Sequence, residues 1–344
     1  MTPLENKILD VIQDAFPLEE RPYLVLAEQL GSDEQSVFVA VENLRRSGII
    51  RRIGGVYDSK ALGFISRLCA GKVPSTVSGA ADDSALEKFA AVVNVIPAIT
   101  HNYVRSHEYN VWFTVMAQSE AEIQKIVDEV CANTELHDVH ILNATEKFKI
   151  NTVMGGAGAP ANRIGDEKRH CEPKAKQSPA HFLSANDRVR IRIACNDIPH
   201  TLTPFRDWDV SCDELREDLA LRRMRRFGAI LRHQEAGFAF NAMVCFRLDE
   251  RRETKDERSV ILSEHSESKD PAGAILAQKP YISHCYNRPA FEGFPYTLYA
   301  MMHAQSAEDL DRYIKEAAQS IGNPGYAVLN SLRELKKTSF NFFA

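Results

Sequence analysis

His101-Asn102-Tyr103-Val104-Arg105, followed by Asn110-Val111-Trp112-Phe113-Thr114 and then Ala117-Gln118-Ser119, is the stretch from which the fold can be read. It occurs twice. His284-Cys285-Tyr286-Asn287-Arg288 keeps the His-x-Tyr-x-Arg spacing. Thr297-Leu298-Tyr299-Ala300-Met301 keeps the apolar, aromatic run, and Ala304-Gln305-Ser306 closes it. Upstream, Arg51-Arg52-Ile53-Gly54-Gly55 returns as Arg225-Arg226-Phe227-Gly228-Ala229, and Leu62-Gly63-Phe64 as Ala236-Gly237-Phe238. Matches held in one order mark an internal repeat. They divide the chain into two homologous units, roughly 1–153 and 180–344.

Around the quoted stretch, unit one alternates between two periods. It reads as strand (Ser66–Val73), helix (Ser84–Val92), strand (Ile96–Tyr103), strand (Tyr109–Ala117), helix (Ser119–Thr134) and strand (Val139–Glu146). That is βαββαβ, the ferredoxin-like order. Unit two repeats it with strands near Ala239–Arg247, Ile282–Asn287 and Tyr296–His303 and a helix at Ala307–Ala318. Ahead of this module, Leu4, Ile8, Leu9, Val11 and Ile12 recur at helical spacing, as do Leu24, Leu26, Ala27 and Leu30. Ser32 is the expected cap of a third helix, with Gln35 as its capping-box partner, and Val37, Val41 and Leu44 line one face. Ile49–Tyr57 then reads as a hairpin wing, which makes a winged helix. Unit two keeps the wing, but Pro199, Pro204 and Trp208 interrupt its front end, and its helix around Leu215, Leu219 and Met224 is short.

The expected fold class is therefore α+β, two repeats of a winged helix-turn-helix plus a ferredoxin-like βαββαβ module. The domain map is winged helix 1–63, ferredoxin-like domain 64–153, flexible linker 154–180, degenerate winged helix 181–237 and ferredoxin-like domain 238–344. Within the last, a polar insertion covers about 249–270. The two ferredoxin-like modules are expected to pair internally, sheet to sheet, as a pseudo-dimer that leaves further homo-oligomerisation open.

At 344 residues, 44 % hydrophobic and 26 % charged, the chain has ordinary globular composition. No apolar run approaches the roughly 18 residues of a membrane helix, and the N-terminus lacks a secretory pattern. A cytoplasmic location with no membrane partner is expected. The seven cysteines are scattered and form no CxxC, which argues against a zinc or iron–sulfur cage. A net charge of −5 argues against nucleic acid as partner, and the third helix leads with Asp33 and Glu34 before Arg45 and Arg46.

A winged helix followed by a ferredoxin-like module resembles the Lrp/AsnC regulators. The more specific motifs resemble siroheme decarboxylase. Arg51-Arg52-Ile53-Gly54 with Thr100-His101-Asn102-Tyr103-x-Arg105 and Tyr109-Asn110-x-Trp112-Phe113-Thr114 is similar to one subunit type of that family. Arg225-Arg226-Phe227-Gly228 through His233, with Asn241-Ala242-Met243, Ser283-His284-Cys285-Tyr286-x-Arg288 and Pro295–Met301, is similar to the other. The resemblance implies both subunit types fused in one chain. It also implies removal of carbon dioxide from the two acetate side chains of siroheme, giving 12,18-didecarboxysiroheme on a route to heme or heme d1. No cofactor beyond the iron of the substrate is then required, and heme itself is an expected ligand.

That chemistry needs a proton donor near neutral pH, cations for several carboxylates and an apolar slot for a flat ring. Histidine, arginine and aromatic side chains supply these. His101, Tyr103 and Arg105 stand at i, i+2 and i+4, one face of a strand, and so do His284, Tyr286 and Arg288. His101 and His284 are the expected proton donors, supported by Tyr103 and Tyr286. Arg51, Arg52, Arg105, Arg225, Arg226 and Arg288 are the expected carboxylate clamp, and Trp112, Tyr299 and Asn241 further substrate contacts. His233, which has no counterpart in unit one, is the candidate ligand to the tetrapyrrole iron. A ligand-responsive Lrp/AsnC-type regulator and a heme-binding sensor without turnover fit many of the same residues and stay open here.

Overall fold

The computed structural model describes residues 1–75, 82–150, 183–232, 240–248, 270–338 and 340–343. Unit one begins with α1 (Pro3–Ile12), α2 (Pro22–Leu30) and α3 (Glu34–Arg46). Thr2 and Glu5 form a reciprocal capping box on α1, and Pro22 pre-sets the first turn of α2. The cap of α3 is Asp33, not Ser32. The extended backbone that a cap requires falls at Asp33, whose carboxylate accepts the Ser36 N–H at 2.9 Å.

β1 (Ile50–Tyr57) does not fold back as a hairpin wing. It runs antiparallel to β7 (Met224–Leu231) of unit two, and the two strands make one ribbon. Met224 accordingly begins a strand; the helix before it, α7 (Cys212–Ala220), ends earlier than the apolar spacing suggested. The glycine of the repeated Arg-Arg-x-Gly motif has a packing cause. A Cβ on Gly228 would lie 2.5 Å from the Ile12 carbonyl oxygen at the end of α1. One on Gly54 would lie 2.2 Å from the Asn196 carbonyl oxygen, just past α6 (Ala185–Ala194). Each unit's first helix thus seats on the other unit's ribbon strand. Phe16 N–H donates to the Phe227 carbonyl and Ile198 N–H to that of Ile53, at 2.8 and 2.9 Å. One core follows, in which Ile8, Ile12, Leu26, Val41 and Ile53 pack with Ile191, Leu215 and Phe227.

Beneath the helices, β2 (Ile65–Lys72), α4 (Asp83–Val95), β3 (Ile99–Arg105), β4 (Val111–Ala117), α5 (Glu120–Asn133) and β5 (His137–Leu142) give βαββαβ with strand order β5-β2-β4-β3. Unit two supplies β8 (Phe240–Phe246), α8 (Pro271–Ala277), β9 (Ile282–Asn287), β10 (Leu298–Ala304), α9 (Ala307–Ser320) and β11 (Tyr326–Lys337), in the order β11-β8-β10-β9. The repeated Ala-Gln-Ser now has a local reason. Ala117 and Ala304 end strands, and Ser119 and Ser306 cap the helices that follow.

The single last strand expected at Val139–Glu146 is in fact two. After β5 the chain crosses over, and β6 (Glu146–Ile150) pairs with β9 of unit two. In return, β11 pairs with β8 through its first half and with β3 of unit one through its second, Ser331 to Lys337. The helices cover the outer sheet faces. The inner faces meet in a core of Trp112, Leu142, Met243, Cys245, Phe294, Tyr299 and Leu329 drawn from both units. The linker at 154–180 and the insertion lie outside the described residues, except that Asp270 caps α8. No helix among the described residues is long and apolar enough to cross a membrane.

Candidate functional site

β3 and β9 carry the repeated triplet at equivalent places. In each pairing with the next strand one residue is bulged out, Thr100 before His101 and Ser283 before His284. A bulge re-aims the side chains around it. Here it lets the Thr100 and Ser283 hydroxyls reach Nδ1 of the following histidine, at 2.9 Å in both units. Cys285 packs with the helices behind its sheet. Strand alternation therefore puts His284 and Tyr286 on the inner face.

The two triplets stand in different electrostatic surroundings. In unit two, Lys147 of β6 is the residue opposite Tyr286. Arg225 of the ribbon, Lys149 and Lys337 add positive charge around the histidine. Burial first, and then these three cations, hold His284 far below the ordinary imidazole range, at about 4. Its ring is neutral at neutral pH. This corrects the expectation of a strand histidine that is itself substantially protonated there. Burial pushes the Tyr286 hydroxyl up to about 12, so it is a hydrogen-bond donor and not a base. In unit one the residue opposite Tyr103 is Glu334. Glu334 is hydrogen-bonded to Tyr103, its carboxylate lies 3.7 Å from the Lys337 ammonium, and Arg51 donates to the Lys337 carbonyl at 3.3 Å. Opposite the tyrosine, unit one thus carries an acid where unit two carries a lysine, itself under the charge of Asp58.

Several expected clamp residues are committed elsewhere. Successive residues of a strand face opposite ways, so Arg51 and Arg225 look toward the sheets while Arg52 and Arg226 look toward the helices. Arg52 donates to the Gly55 carbonyl at 3.3 Å, and Arg226 to the carbonyls of Gln13 and Ala229. Arg226 thereby braces the end of α1, while Arg52 bonds a carbonyl of its own strand. Arg105, 5 % exposed, donates to the Leu329 carbonyl and to Ser331 Oγ, each at 3.1 Å. Ser331 Oγ in turn donates to Asn241 Oδ1 at 2.6 Å, which ties Asn241 to this internal chain. Arg288 donates to the Leu142 carbonyl at 2.7 Å. Each of these arginines therefore bonds the fourth ferredoxin strand of the other unit, while its guanidinium lies over its own tyrosine, Tyr103 or Tyr286, at 5.1 and 5.2 Å. They staple the two units together. Trp112 and Tyr299 are 1 % and 3 % exposed in the core between the sheets and offer no platform to a ring. His233 lies outside the described residues. Among the described residues no group of three or more His, Cys, Asp or Glu is placed to hold a metal ion.

Lys147, Lys149, Lys337, Glu334 and Ser283 were missed. The hydroxyl before each repeated histidine was a readable signal. The lysines and the glutamate were not, because the strands that bring them cross between units.

A family model described as the AsnC-like ligand binding domain matches residues 61–149 and 235–336, and one described as the siroheme decarboxylase NirDL-like HTH domain matches residues 5–51. A siroheme decarboxylase of Hydrogenobacter thermophilus is 30 % identical over 348 aligned positions, covering 98 % of this chain and 95 % of that one. The siroheme decarboxylase alpha subunit of Desulfovibrio desulfuricans is 44 % identical over 152, covering 44 % of this chain and 82 % of the subunit. A crystal structure of the siroheme decarboxylase NirDL in complex with an iron-uroporphyrin III analogue superposes with a TM-score of 0.64 at 26 % identity, covering 99 % of this chain and 95 % of the other.

Proposed function

The chain belongs to the siroheme decarboxylase family, and from that premise we infer that it removes carbon dioxide from siroheme at the site of unit two. The observation that carries the choice of unit is the residue opposite each tyrosine, Lys147 against Tyr286 and Glu334 against Tyr103. Siroheme is a polyanion. A site that places Arg225, Lys149 and Lys337 around a neutral histidine, and Lys147 opposite its tyrosine, gains from receiving its carboxylates, whereas a fixed carboxylate opposite the tyrosine opposes them. Loss of carbon dioxide from an acetate side chain leaves the bond's electron pair on the neighbouring carbon, which must then take a proton. Nδ1 of His284 is engaged by Ser283, so Nε2 is the nitrogen that would supply that proton. Tyr286, held protonated by burial, would donate a hydrogen bond to a substrate carboxylate. His101, Tyr103 and Arg51 form the scaffold counterpart in unit one. DNA recognition has no part in this reading. Arg45 of α3 is paired with Asp197, and the helix begins with acidic residues.

The test is anaerobic incubation with siroheme followed by product mass. The parental chain should yield a tetrapyrrole lighter by two carbon dioxide units, and His284→Ala should slow its formation by about 10²–10⁴-fold. Unchanged siroheme with the parental chain would mark a sensor. Full loss in His101→Ala alone would move the reaction to unit one.

A further inference from the structure

Ser283 Oγ lies 2.9 Å from two ring nitrogens at once, Nδ1 of His284 and Nε2 of His303, and 3.4 Å from the Met301 carbonyl oxygen. His303 is on β10, one strand in from the histidine it serves. Ser283 and His303 are 6 % and 8 % exposed, so bulk water is kept from the bonds between them. The bulge at Ser283 makes the double contact possible, because it turns this residue out of the regular alternation and toward both rings. Unit one has the bulge and the hydroxyl but not the second histidine. Counting back from the shared Ala-Gln-Ser, the counterpart of His303 is Met116. Thr100 therefore has no such partner on β4, and the arrangement sets the two units apart as the lysine and glutamate do.

We propose that His303 and Ser283 form a relay that resupplies His284 at Nδ1 while His284 donates to the substrate carbon at Nε2. The proposal rests on the assignment of the reaction to the site of unit two. A hydroxyl has one proton and can accept another, so it can take from one imidazole and give to the next. The relay requires His303 to carry a proton on each ring nitrogen at the outset, and with it the positive charge, and His284 to carry one on Nε2. The bond to the departing carboxylate breaks and its electron pair stays on the carbon. That carbon takes the Nε2 proton of His284. Nδ1 of His284 takes the Ser283 hydroxyl proton, and the serine oxygen takes the Nε2 proton of His303. His284 ends neutral in its other tautomer, and His303 ends neutral with its proton on Nδ1. No charge has to rest on the buried ring among Arg225, Lys149 and Lys337 at any stage. Ser283 and His303 are thus positioning and resupplying residues that never touch substrate.

The full-length chain is tested as Ser283→Ala, Ser283→Thr and His303→Gln, with siroheme turnover and the ¹⁵N spectrum of labelled histidines as the two readouts. Ser283→Ala and His303→Gln should each lower kcat by about 10–10²-fold, with KM for siroheme and the bound-siroheme absorption spectrum unchanged. Ser283→Thr, which keeps the hydroxyl, should recover most of the rate. Parental His284 should show the Nε2–H tautomer, and Ser283→Ala a mixture of the two. Parental kcat in Ser283→Ala, a defect confined to KM, failure of threonine to rescue a folded variant, or an Nδ1–H tautomer in the parent would each overturn the relay. Those results leave the site assignment standing as long as His284→Ala remains inactive. If His284→Ala is active, the assignment itself falls.

Discussion

His284 is held neutral by its surroundings, and this has a consequence for stability that needs no substrate. Folding buries the ring among cations and lowers its pKa from the ordinary 6.5 to about 4. The neutral form is favoured in the folded state and the charged form in the unfolded chain. The histidine therefore contributes stability that is fully present above about pH 6.5 and is lost as pH falls through 4. The shift corresponds to about 3 kcal/mol at most. Urea unfolding at pH 7 and at pH 4.5 should show a larger acid loss for the parent than for His284→Asn. Equal losses in the two proteins would mean that burial and the surrounding cations do not hold this ring neutral as described. The same residue marks a limit of the sequence. A His-x-Tyr-x-Arg triplet with strand spacing identified the face and the pair of histidines. It could not give a protonation state, which depends on burial and then on Arg225, Lys149 and Lys337 arriving from three other elements.

At the scale of elements, what could be read was whatever repeats locally. The βαββαβ order, the paired Ala-Gln-Ser helix starts and the doubled Arg-Arg-x-Gly strand all follow from periodicity and capping within a few residues of chain. What could not be read was partnership. Ile50–Tyr57 alternates like half of a hairpin, and nothing in the alternation says that its other half is Met224–Leu231. Tyr326–Lys337 does not read as a strand because its second half, Ser331 to Lys337, is mostly charged or polar and is a strand only by pairing with β3 of the other unit. Those unread pairings decide the electrostatics of the site. Replacing Lys147 by Glu puts a carboxylate opposite Tyr286, as unit one has opposite Tyr103, and siroheme affinity should fall tenfold or more when followed by absorbance titration. Glu334→Gln removes a carboxylate from the unit-one triplet and should leave kcat within about twofold of the parent. A Lys147→Glu variant with parental affinity would remove the reason for preferring unit two.

At the scale of the whole molecule, the exchanged strands make each unit incomplete without the other. β6 has its partner in unit two, and the second half of β11 has its partner in unit one. Arg105 and Arg288 each bond a carbonyl across the same boundary. The core between the sheets takes Trp112 and Leu142 from one side and Met243, Tyr299 and Leu329 from the other. Above it, each first helix closes on the opposite ribbon strand through a glycine. A unit expressed alone would leave the edge of β3 or β9 unpaired and expose the apolar inner face of its sheet, both of which favour association. Residues 1–153 and 180–344, produced as separate chains, should therefore be poorly soluble or self-paired when alone. Produced together, they should assemble one to one, unfold in a single calorimetric transition and decarboxylate siroheme. Covalent continuity contributes effective concentration and nothing to the contacts themselves, so the assembled halves should lose activity only on dilution. A half that stays monomeric and unfolds cooperatively by itself would show that the crossing strands are accessory, and that each module closes its own sheet.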